Sequence, residues 1–87
     1  MTTIYLSDKD GKHRIKCVGH ATGSVETCAA ISAISITVAR CVDAEKIVAE
    51  DGLFEVEFVG QDELFRFARE GFAGICEDYG NYCKIIA

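Results

Sequence analysis

At 87 residues, 49% of them apolar, the chain suits one small folded domain and excludes disorder. Its core is near the size that only just suffices alone, so a homodimer is expected. A formal net charge of −5 argues against nucleic acid as a partner, because phosphate binding needs clustered Lys and Arg.

The elements follow in chain order. Ile4 to Ser7 reads as a strand, Asp8-Lys9-Asp10-Gly11 as a turn, and Arg14 to Val18 as the returning strand. The basic group Lys9, Lys12, His13, Arg14 and Lys16 reads as that hairpin's solvated side. Gly19 to Gly23 is a loop, and Ser24 is a good N-cap with Glu26 in the first turn behind it. The helix that follows runs to about Asp43. It carries no charge from Ala29 to Ala39, which marks a buried central helix. Lys46 to Glu50 and Leu53 to Val59 form a second hairpin. In its latter strand Phe54, Val56 and Phe58 face one way and Glu55 and Glu57 the other, as in an outer, half-buried strand. Asp62 is expected to cap a second helix with the stripe Leu64, Phe65, Ala68, Phe72, Ile75 and Tyr79, stopped at Gly80. Tyr82 to Ala87 closes as a strand. The order ββαββαβ, without repeat, linker or proline, gives a single domain over residues 1–87. Its class is α+β: a small mixed β-sheet with two helices.

No apolar run approaches the roughly 20 residues of a membrane span. Met1-Thr2-Thr3-Ile4-Tyr5 lacks the regions of a signal peptide. The 5 cysteines are therefore expected to be reduced thiols of a cytoplasmic protein, with Cys41 and Cys76 buried in their helices.

The chemistry concentrates in Gly19-His20-Ala21-Thr22-Gly23-Ser24-Val25-Glu26-Thr27-Cys28. It sets an imidazole in a loop and a thiol in the first turn of the next helix, and a reversing loop brings two such groups within reach. A helix N-terminus favours a thiolate and a histidine accepts its proton, which together make Cys28 a candidate nucleophile and His20 its base. Against this stands the plain reading of a buried helix cysteine and a strand-end histidine. His13 is the other candidate base, and Glu26 a weak third member of what otherwise reads as a dyad. Backbone N–H groups at the helix start, that of Cys28 among them, are expected to meet the oxyanion. Gly19 and Gly23 read as hinges of a loop that admits peptide. Ser32 and Ser35 continue the Cys28 face and suit close packing.

A metal set of Cys17, His20 and Cys28 fails on parity, since residues 17 and 20 of a continuing strand face opposite sides. No metal and no cofactor is expected, and a thiol oxidoreductase lacks its C-x-x-C.

Gly19-His20-Ala21, Gly23 and Cys28-Ala29-Ala30-Ile31-Ser32-Ala33, with the closing Glu77-Asp78-Tyr79-Gly80-Asn81-Tyr82-Cys83-Lys84-Ile85, resemble the ribosomal-processing cysteine protease family of bacteria and phages. The likeness spans nearly the whole chain. It implies a homodimeric cysteine endopeptidase with a Cys28–His20 dyad, and a Ser32 hydroxyl that positions substrate or the loop. The implied substrate is the N-terminal extension of a ribosomal large-subunit protein, cut in an apolar, aromatic-rich motif ending near Phe-Phe-Ala, or a similarly tagged phage capsid or scaffold protein. Two departures stand out. The His–Cys loop is shorter than the family's, and Val25 stands where an acidic residue is common. They leave a second reading, a catalytically inactive homologue acting as a dimeric peptide-binding module.

Overall fold

The computed structural model describes all 87 residues. Its elements are β1 (Thr2–Lys9), β2 (Lys12–Val18), α1 (Val25–Cys41), β3 (Ala44–Glu50), β4 (Leu53–Val59), α2 (Asp62–Asp78) and β5 (Cys83–Ile86). They form one five-stranded sheet in the order β3-β4-β2-β1-β5. Four of the strands pair antiparallel and β5 runs parallel to β1, so the sheet is mixed and the class is α+β.

The first hairpin turns on Asp10 and Gly11, with φ of 56° and 77° between the paired Lys9 and Lys12. Two left-handed residues in a two-residue loop match the strand twist, and Asp-Gly is the sequence best suited to it. Period-two alternation then puts Thr2, Ile4 and Leu6, His13, Ile15 and Cys17, and Val56 and Phe58 under the helices. Ile31, Val38 and Val42 from α1 and its end, with Phe65, Ala68 and Phe72 from α2, complete the core. Each fully buried side chain of this kind contributes about 1.5–3 kcal/mol. Ser24 caps α1 as its sequence suggests, accepting a 3.2 Å hydrogen bond from the Thr27 N–H.

Several expectations are corrected. α1 is not enclosed on every side: Thr27, Ile31, Ser35 and Val38 are buried, while Ile36 is 54% exposed. It ends at Cys41, which is exposed rather than buried, and Cys76 is only half-buried. β4 is an interior strand between β3 and β2. Its Glu55 is 4% exposed on the helix-free face, because Arg14 and Lys46 close over it. Lys46 first, and then Arg14, hold the Glu55 carboxyl below its ordinary range, against the opposing pull of burial.

His13 is not solvated. It shares parity with Ile15 and Cys17, is 2% exposed, and stacks on Phe65 with ring centroids 4.4 Å apart. Asp62, expected as the α2 cap, is instead its first helical residue and accepts a 2.7 Å hydrogen bond from His13 Nε2. Gln61, at φ 53°, holds the cap position. The Asp8 carboxylate stands 3.3 Å from His13 Nδ1 but off the hydrogen-bonding direction, so that nitrogen is unpaired.

Candidate active site

The site is built where β2 runs out. Gly19 extends the β2–β4 ladder by one step, its N–H donating to the Gly52 carbonyl at 2.9 Å. Its φ is +92°, and a Cβ there would lie 2.6 Å from the Met1 carbonyl oxygen, so only glycine fits. Thr2 Oγ1 donates to the Gly19 carbonyl at 3.4 Å from the neighbouring strand. The loop then reverses through a 3.0 Å bond from the Ser24 N–H to the Ala21 carbonyl, and α1 begins.

That reversal brings His20 and Cys28 into one cleft of about 310 Å³. The cleft lies between α1 and the β3–β4 turn. Ile31, Ile36, Ala49, Leu53 and Phe54 give it apolar walls, and Ser32 and Gly19 line it too. Gly23 does not. It stands at the α1 end of the loop, where an added Cβ would meet the Tyr82 ring at 3.4 Å. Ser35 is buried in the floor, 3.8 Å from the Cys17 sulfur. Burial pushes the Cys17 thiol up to about 11, partly offset by that serine, so Cys17 is a neutral thiol at neutral pH.

In this arrangement each half of the pair is held by another partner. Cys28 Sγ donates to the Ala21 carbonyl at 3.7 Å. His20 Nε2 lies 3.2 Å from Asp51 Oδ1, in the β3–β4 turn. Glu26, the weak candidate for a third member, accepts from Ser24 Oγ at 3.4 Å instead. The Cys28 N–H is also spent, donating to the Ser24 carbonyl at 3.2 Å. Among first-turn donors, the Val25 and Glu26 N–H groups precede any intrahelical acceptor.

Asp51 escaped the sequence reading because it reads as an ordinary turn residue. The signal is in the register: Val18 pairs Leu53, so the residues just past them, His20 and Asp51, emerge side by side. No group of three His, Cys, Asp or Glu side chains is placed to hold a metal ion.

No family model and no curated protein matches the sequence. Solved structures do match in fold. The essential ribosomal processing protease Prp from S. aureus, in complex with a covalently linked product peptide, superposes with a TM-score of 0.80 at 21% identity. That match covers 98% of this chain and 97% of the other. The same protease in complex with a substrate peptide gives 0.82 at 21% identity, over 99% and 98%. A hypothetical protein from Staphylococcus aureus gives 0.66 at 19% identity, over 98% and 97%. At such identities the likeness is one of fold.

Proposed function

We propose that this chain is a cysteine endopeptidase, with Cys28 as nucleophile and His20 as general base, acting on an extended apolar peptide. The observation that carries the reading is the cleft itself. A thiol at a helix start and an imidazole on the preceding loop line one apolar-walled groove. The fold is that of a protease crystallised with substrate and product peptides.

The chemistry follows from the groups present. With Nε2 turned to Asp51, Nδ1 is the ring nitrogen left to take the Cys28 proton. The thiolate attacks the scissile carbonyl carbon, and the oxygen gains its charge at the open end of α1, near the Val25 and Glu26 N–H groups. The C–N bond then breaks, and His20 returns its proton to the leaving amine. Water, activated by the same imidazole, releases the acyl group and restores the thiol. Ser32, on the cleft wall one turn from Cys28, hydrogen-bonds the bound peptide, and Gly19 and Gly23 shape the loop that admits it.

The substrate we propose is the N-terminal extension of a ribosomal large-subunit protein precursor, or a similarly tagged phage capsid or scaffold protein. An aromatic-rich motif suits the walls formed by Ile31, Ile36 and Phe54. The net charge of −5 suits basic flanks on such a protein. We place the enzyme in the cytoplasm as a homodimer, a second copy adding the buried surface that so small a core leaves short.

The test is intact-protein mass spectrometry of a peptide bearing the ribosomal extension, incubated under reducing conditions with wild type, Cys28→Ala and His20→Ala. Cleavage by wild type alone is expected. Folded wild type that binds this peptide without cutting it would instead establish the inactive peptide-binding module.

A further inference from the structure

Two cysteines outside the cleft stand closer to each other than to any other reactive group. Cys76, in the last turn of α2, and Cys83, the first residue of β5, are free thiols whose sulfurs lie 2.8 Å apart. That separation lies between ordinary sulfur–sulfur contact and the roughly 2.05 Å of a disulfide bond, so this pair needs little movement to join. The intervening residues 77–82 are already folded back. The Tyr79 N–H donates to the Ile75 carbonyl at 2.8 Å, and the Tyr82 N–H to the Tyr79 carbonyl at 2.9 Å.

We propose that Cys76 and Cys83 form a redox-active dithiol site, converted to an intramolecular disulfide by low-molecular-weight disulfides of the glutathione type. Cys76 is half-buried and Cys83 is 1% exposed, so the reagent enters at Cys76. The Cys76 sulfur attacks one sulfur of the reagent, whose S–S bond breaks. The displaced thiolate takes up the proton that Cys76 gave away. Cys83 then attacks the mixed disulfide at Cys76, forming the Cys76–Cys83 bond and releasing a second thiol in the same way. Two electrons pass from the cysteines to the reagent, which leaves as two thiols.

Burial, and then the neighbouring Cys83 thiol, push Cys76 up to about 12. Entry is therefore slow, while the second step is intramolecular and fast, and the mixed disulfide does not accumulate. The new bond would stiffen a segment that supports the cleft. The Tyr82 carbonyl accepts from the Thr2 N–H at 2.9 Å, and the Tyr82 ring lies under Gly23.

Trypsin separates this pair from the other cysteines: residues 70–84 hold Cys76 and Cys83, residues 17–40 hold Cys17 and Cys28, and Cys41 falls on residues 41–46. The experiment equilibrates the full chain in buffers of increasing oxidised-to-reduced glutathione ratio, traps free thiols with iodoacetamide, and maps the peptides. The 70–84 peptide is expected to lose two hydrogens and take up no label. In Cys76→Ala no such loss occurs, and the melting temperature of oxidised wild type rises by roughly 5 °C or more over the reduced form. Alkylation of both residues at every ratio, or glutathione resting on Cys76 with Cys83 free, would overturn the proposal.

Discussion

Asp51 Oδ1 stands 3.2 Å from His20 Nε2, joining the tip of the β3–β4 hairpin to the loop that leaves β2. Both side chains are open to water, at 98% and 58% exposure, so the contact is a weak one that sets ring orientation. Asp51→Asn is expected to lower kcat by about 2- to 5-fold with KM unchanged. A rise in KM at constant kcat would place Asp51 in substrate binding instead.

Thiol reactivity separates an active pair from an inert one. At pH 6, Cys28 is expected to take up iodoacetamide about tenfold faster than the exposed Cys41. In His20→Ala the two rates should converge. Equal rates already in wild type would sink the nucleophile assignment.

Two glycines predict opposite signs. Gly19→Ala adds a Cβ 2.6 Å from a backbone oxygen at φ +92°, and should cost about 1–3 kcal/mol in urea denaturation. Gly74 lies within α2 with nothing within 4 Å of an added Cβ, so Gly74→Ala should stabilise by about 0.5–1 kcal/mol.

Acid should act through Glu55. Its folded carboxyl titrates below the ordinary range, held there by Lys46 and Arg14. The stability it contributes is therefore complete above the ordinary carboxylate pKa of about 4.3, and is lost as pH falls through the lower folded value. Glu55→Gln should be less stable than wild type at pH 7 and show a flatter loss of melting temperature between about pH 5 and pH 3. Parallel curves would mean that the ion pairs contribute nothing.

What the sequence disclosed was mostly local. Ser24 caps α1 through a bond three residues away, and the alternation of Phe54, Val56 and Phe58 needs only its own strand. The Gly19–Cys28 stretch brought thiol and imidazole to one cleft because the loop between them is short. Other features depend on partners distant in sequence. α1 is uniformly apolar or small, so nothing in it distinguishes the covered side from the open one at Ile36. His13 was masked by Lys12 and Arg14, although its parity with Ile15 points inward. Asp51, and the approach of Cys76 to Cys83, follow from how separate elements register against one another.

The pairing of β5 with β1 also bears on how the molecule is made. Thr2 is bonded to Tyr82 and lies opposite Cys83, so β1 acquires its outer neighbour only when β5 has been synthesised. A nascent chain emerging from the ribosome can form the β1–β2 hairpin early, but β1 then waits until residues 19–82 have followed. Until β5 docks, the Tyr82 ring is missing from beneath Gly23 and the Thr2 N–H lacks its acceptor, the Tyr82 carbonyl. The walls of the groove holding Cys28 come from residues no later than Phe54, so what β5 adds last is not a wall but the footing of the loop that carries His20.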